Sequence, residues 1–197
     1  MFRAVVGVLC MVIFLAVIVM TFIAMITPSW MINTSKSGIL SEVGMKQSIG
    51  LYSSCSSTGL CHSFPQYEDC KELNQQFCNK WRSIGFLMWI ASIAYMTSLV
   101  GFIFVVLGGV QKWKRGWKFL SLSLLLGAAF ECASISVMVN ILKSEDFFAE
   151  WSLGTSWIIS TLSWIISVLL AAFIVISEFI FESEGDYELI PSIVSFP

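Results

Sequence analysis

Four uninterrupted apolar runs, Ala4–Ile26, Ile84–Val110, Phe119–Leu142 and Trp157–Phe181, constrain this chain more than any other feature. Each exceeds the roughly 20 residues a helix needs to cross a hydrocarbon core about 30 Å thick. Lipid offers the backbone no water, so a spanning segment must be a helix or a strand of a closed barrel. Runs of this length are not barrel strands. With 57% hydrophobic and 12% charged residues among 197, the chain has more apolar surface than a soluble core of its size can hide. The expected fold is therefore an all-α membrane four-helix bundle. The first run begins beside Arg3, as a signal peptide would. It is read as a span because it is too long for an h-region and no small-x-small cleavage site follows it.

The formal net charge of −2 says little, but its distribution sets an orientation. Loop 111–118 reads Gln111-Lys112-Trp113-Lys114-Arg115-Gly116-Trp117-Lys118, with four basic residues and no acid. The positive-inside rule places it in the cytoplasm, and Arg3 agrees. Both termini then lie in the cytoplasm, and loops 27–83 and 143–156 are extracellular. Trp113 and Trp117 suit the headgroup level. The plain reading of the basic loop is a topology signal, and the sharper one is an anionic-lipid site. Residues 1–181 form one four-transmembrane domain, and 182–197 form an acidic cytoplasmic tail. In that tail Tyr187-Glu188-Leu189-Ile190 fits a Tyr-x-x-bulky sorting pattern, with Tyr187 and Ile190 as its key positions.

Cysteines follow the same division. Cys10 and Cys132 lie in spans, whereas Cys55, Cys61, Cys70 and Cys78 lie in the first outer loop. An even number on the oxidising side points to two disulfides. Three pairings are open, of which Cys55–Cys61 with Cys70–Cys78 is favoured. The first would clamp a hairpin whose tip, Ser56 to Leu60, has turn chemistry. A zinc site using His62 is the alternative, and it would need widely spaced thiols in an oxidising compartment. Within the loop, Met31–Thr34 and Gln47–Ser53 read as short strands, and Tyr67–Lys80 as a helix leading into span two. Asn33-Thr34-Ser35 is a glycosylation sequon close to the membrane. The loop from Met31 to Arg82 holds five basic and four acidic residues, so no ion preference is visible.

Glu131 stands alone near the middle of span three, where a carboxylate is costly unless paired or protonated. The functional reading makes it an ion, proton or partner contact. The structural reading makes it a protonated acid bonded to a hydroxyl on another helix, such as Thr97, Ser160 or Thr161. Gly127-Ala128-Ala129 nearby would let a helix approach closely. Elsewhere there is no His pair, no Gly-rich phosphate loop and no paired carboxylates, so no catalytic set, cofactor site or metal site is read, and nothing suggests a nucleic-acid partner. A transporter would show more intramembrane polar residues than this one acid.

The first outer loop carries a pattern: Pro28-x-Trp30, then Gly50-Leu51-Tyr52-x-x-Cys55, then Ser57-Thr58-Gly59-x-Cys61, with Arg82 at the mouth of span two. It resembles the claudins, within the broader claudin and peripheral myelin protein superfamily. The second outer loop adds Asp146-Phe147-Phe148 and Leu153-Gly154-x-x-Trp157, which look like the claudin second-loop motif. The resemblance implies a left-handed bundle carrying a small extracellular antiparallel β-sheet, anchored by Trp30, Gly50, Leu51 and Tyr52 and tied by Cys55–Cys61. It also implies self-association within a membrane and contact between cells. Phe147 and Phe148, adjacent aromatics in a short outer loop, could meet a partner, pack on the first loop or dip into the interface. Tyr52 in place of Trp, the short cysteine hairpin, the extra pair Cys70 and Cys78, the short second loop and the end Val194-Ser195-Phe196-Pro197 depart from typical claudins. The function expected is that of a claudin-like plasma-membrane protein with a structural role in cell adhesion, cell junctions and the paracellular barrier. The alternative is an auxiliary subunit of an ion channel or receptor, a class with four first-loop cysteines in the same superfamily.

Overall fold

The computed structural model describes residues 2–35, 45–66, 68, 70–71, 75–107, 109–144 and 151–185. Its long helices are α1 (Phe2–Ile26), α2 (Gln75–Leu107), α3 (Gly109–Ser144) and α4 (Thr155–Gly185). All four are long and apolar enough to cross a membrane, over Val5–Ile26, Gln75–Val105, Gly116–Ser144 and Thr155–Ser177. This is the layout of a multi-pass membrane protein. α1 packs on α2 and α4, and α3 packs on the same two, so the helices close into a ring.

The helices outrun the apolar runs that announce them. α2 begins at Gln75, so residues 75–80, read as part of a helix leading into span two, are continuous with the span that was read from Ile84. Phe77, Cys78, Trp81, Ile84 and Met88 are buried at helical spacing, while Gln75, Gln76, Asn79 and Arg82 are exposed. An amphipathic first stretch of this kind disappears in an average of hydropathy. α3 begins at Gly109, so residues 111–118, expected as a loop, are already helical. Gln, Lys and Arg are good helix formers and no proline interrupts them. α4 starts at Thr155, before Trp157, and ends at Gly185, beyond Phe181.

One half of the bundle is filled by Phe14, Tyr95, Phe102, Leu120, Leu124, Leu170 and Ile174, with Phe14 stacked on Phe102 at 5.9 Å. Outward, Val12, Phe86, Phe104, Leu122, Leu169 and Phe179 are exposed. So broad an apolar surface suits lipid and not water.

The strands are β1 (Met31–Ser35), β2 (Met45–Ile49), β3 (Ser53–Ser56), β4 (Cys61–Ser63) and β5 (Trp151–Leu153). They form one antiparallel sheet in the order β4-β3-β2-β1-β5. β5 comes from the connection between α3 and α4 and pairs Met31 with Leu153 and Asn33 with Trp151. Both large connections therefore build a single sheet, where the sequence reading had placed strands only in the first. The stretch Gln47–Ser53, read as one strand, is divided. The chain turns after Ile49, with Gly50 N–H donating to Ser53 O at 2.8 Å, and resumes as β3.

Among the described residues the sheet has no core apart from the helices. Met31, Ile49, Leu51, Phe64 and Trp151 bury against Ala24 and Met25 of α1, Phe77, Trp81, Ile84 and Met88 of α2, and Met138 and Ile141 of α3. The ends of the helices are the other half of its hydrophobic layer.

Candidate functional site

Trp30 is the joint between sheet and bundle. It follows α1 by three residues and Pro28, which ends helical bonding. Its side chain is fully buried, and its indole N–H donates to Ala24 O at 2.7 Å. Its backbone N–H donates to Ile49 O and its carbonyl accepts from Gly154 N–H, both at 2.9 Å. A single residue thus holds the end of β2, the end of β5 and the last turn of α1. Ser156 reinforces this, its hydroxyl donating to Thr27 O at 3.0 Å.

The Gly50-Leu51-Tyr52 turn locks the sheet to α2. Gly50 lies against Pro28, where any Cβ would strike the Pro28 Cα. Leu51 is buried, and its carbonyl accepts from the Trp81 indole at 3.3 Å. Tyr52 lies over α2 at Gly85, where a Cβ would stand 3.4 Å from the phenol oxygen, in ordinary contact. Partial burial pushes the Tyr52 phenol above its ordinary value, opposed in part by a hydrogen bond with Trp89. Phe64, Phe77 and Trp81 meet beneath, with Phe64 edge-on to Trp81 at 5.2 Å.

Two disulfides brace this assembly. Cys55 and Cys61 stand opposite each other in β3 and β4 and are bonded, closing a hairpin that turns through Gly59 at φ 81°. Cys70–Cys78 ties the preceding segment to the first turn of α2. The thiols required by a zinc alternative are therefore engaged, and His62 is exposed on β4. Arg82 is exposed and, with Lys71, Gln75, Asn79 and the second disulfide, lines a cavity of about 270 Å³. Asn33 lies on β1, an inner strand paired on both sides, with its Oδ1 buried and unbonded. Alternation puts it on the same face as buried Met31, so a glycan there would leave by the side that rests on the helices. Phe147, Phe148, Tyr187 and Ile190 lie outside the described residues.

Glu131 occupies a different position, inside the ring. It is fully buried, with hydroxyl groups around both carboxylate oxygens. Oε1 accepts from Ser160 at 3.1 Å and from Thr21 at 3.3 Å, and Oε2 accepts from Tyr95 at 3.0 Å. Behind these, Ser163 pairs with Thr21 at 2.8 Å and Ser167 donates to Tyr95 at 3.0 Å. Every helix contributes: Thr21 from α1, Tyr95 from α2, Glu131 from α3 and three serines from α4. Gly127 makes it possible, since a Cβ there would stand 2.5 Å from the Tyr95 ring. One turn on, the hydroxyl of the same ring reaches Glu131.

Of the partners suggested by sequence, Ser160 makes the bond. Thr97 and Thr161 instead satisfy themselves on the Ala94 and Trp157 carbonyls of their own helices, each at 2.8 Å. Thr21, Tyr95, Ser163 and Ser167 were missed. A signal was present on α4, where Ser156, Ser160, Ser163 and Ser167 repeat at helical spacing and all four are buried. Such a stripe in an apolar span marks a polar seam.

A scan against protein-family models and a search of curated proteins each return no match.

Proposed function

We propose that this chain is a claudin-like integral protein of the plasma membrane, with a structural role in cell–cell contact, junction organisation and the paracellular barrier. Its termini face the cytoplasm and its sheet faces outward. It is not an enzyme and uses no cofactor. It associates with copies of itself or with a related membrane protein. The observation that carries this reading is the sheet's attachment. Both connections contribute strands, and Trp30 fixes them to the helix ends, so the outer surface keeps its shape under load between cells. The hairpin tip projects from that surface, with Leu60 75% exposed.

The Glu131 network supports a structural role over transport. A carboxylate that accepts from three hydroxyls is spent on joining helices. A second reading, an auxiliary subunit of an ion channel or receptor, draws on the exposed aromatic face of α2, where Phe86 and Trp89 offer a surface for another helix.

The test is to image tagged protein in mixed cultures of expressing and non-expressing cells. Concentration only where two expressing cells touch is the expected result. A uniform membrane signal, with one channel or receptor co-purifying stably, would replace the junctional reading with the auxiliary one.

A further inference from the structure

The first turns of α3 carry a feature that neither the sheet nor the Glu131 network uses. Lys112, Lys114, Arg115 and Lys118 fall within eight residues, and no acid follows before Glu131. The backbone is helical here, so successive residues advance by about 100°. Around the helix Lys114, Lys118, Arg115 and Lys112 follow in that order over an arc of about 160°. Neighbouring residues establish which way this face looks. Lys118 and Phe119 are exposed, whereas Gly116 lies against Val105 of α2, Trp117 packs edge-on against Phe179 of α4 at 6.4 Å, and Leu120 is buried. By register Arg115 falls between the exposed Lys118 and Phe119, and Lys114 and Lys112 fall at the two edges of that arc.

This arc stands where α3 enters its span, Gly116–Ser144, at the end of the bundle opposite the sheet. Lys118 keeps its ammonium 5.5 Å from the Trp117 ring, an arrangement suited to the boundary between lipid and water. The densest anion at that depth is headgroup phosphate, and arginine's planar fork matches it. We propose that the first two turns of α3 form a binding site for anionic lipid headgroups of the leaflet they border, with Lys114, Arg115 and Lys118 contacting phosphate and Lys112 adding charge. The rival occupant is the chain's own acidic end, since Glu182, Glu184, Asp186 and Glu188 follow the part of α4 that meets Trp117.

The full chain in neutral detergent is titrated with phosphatidylserine or phosphatidylcholine, and bound lipid is counted by native mass spectrometry. Phosphatidylserine binds at least about tenfold more tightly than phosphatidylcholine. Replacing Lys114→Gln together with Arg115→Gln weakens phosphatidylserine about 25-fold, or about fivefold for each charge near the surface, and leaves phosphatidylcholine unchanged. The charge-conserving pair Lys114→Arg and Arg115→Lys keeps the preference. Should the Gln pair fail to fold, raising salt to about 1 M on the unaltered protein reads the same charges, and the preference must collapse. Equal binding of the two lipids, retention by a folded Gln pair, or a preference that survives high salt would overturn the site. So would phosphatidylserine binding that appears only after residues 182–197 are removed, which would assign the basic face to the tail.

Discussion

Glu131 shows how one residue sets the terms for its neighbours. Replacing it with Leu leaves the hydroxyls of Tyr95 and Ser160 buried without their acceptor, while Thr21 keeps the Val17 carbonyl at 3.1 Å. Each stranded donor costs about 1–3 kcal/mol, so Glu131→Leu should destabilise the bundle by about 2–6 kcal/mol. Glu131→Gln should cost less, because the amide keeps one acceptor and its NH2 can donate to the Tyr95 oxygen. Unfolding midpoints in detergent check the order, with Leu falling below Gln and Gln below the parent. Gln at or below Leu would mean that the negative carboxylate, not the acceptor count, holds the site. A lone carboxylate in an apolar run is visible in any sequence, and so was the hydroxyl bonding of its structural reading. The identity of the partners was not. Thr97 and Thr161 are as polar as Ser160, but each lies where its own helix offers a carbonyl first. Tyr95 was hidden because its role depends on Gly127, a contact between helices that no local pattern records.

At the level of elements, β5 depends on a glycine more than on its own short sequence. A Cβ on Gly154 would run into the Ser29 carbonyl oxygen, a backbone atom that cannot swing aside. Gly154→Ala should therefore break the bond from residue 154 N–H to Trp30 O and separate β5 from β1, at about 1–3 kcal/mol or somewhat more. Faster hydrogen exchange at residues 151–154, with the helices still protected, is the expected readout. Protection unchanged there would show that the backbone adapts. The β3–β4 hairpin has a covalent version of the same dependence. Loss of the Cys55–Cys61 bond should cost about 2–5 kcal/mol and cause intracellular retention. Cys55→Ser, Cys61→Ser and the double change should be equally affected. Normal surface levels for both single variants would remove the hairpin's importance. The helices were legible as apolar runs, and the helical lead-in to span two was legible over 75–80, though the other ends were not. α2 is amphipathic over Gln75–Ser83, and the opening turns of α3 are too basic for a hydropathy window. Three residues, Trp151–Leu153, are too few for a strand period to register.

For the whole molecule, the shared layer of side chains makes sheet and bundle one unit of stability. Among the described residues, Trp30, Met31, Ile49 and Trp151 face no opposing sheet, and helix-end side chains such as Ala24, Met25, Trp81, Met88 and Met138 complete their layer. A sheet with one buried face and no partner layer cannot persist without those helices. The dependence also runs the other way, because the same contacts fill the upper ends of α1, α2 and α3. Trp30→Ala empties the volume of a fully buried indole at this junction and removes the bond to Ala24 O, so about 3–5 kcal/mol is lost, as for other large-to-small core changes. That loss should appear in both parts at once. During denaturation from detergent, the helical far-ultraviolet signal and the aromatic near-ultraviolet signal should move together in the parent. In the variant they should move together again, at a lower midpoint. Two separated transitions, with the helical midpoint unmoved, would mean that the bundle stands alone and the sheet is an appendage. A sheet that can detach in this way could not carry force from one cell to the next. The coincidence of those two signals therefore bears on the proposed role as directly as it does on the fold.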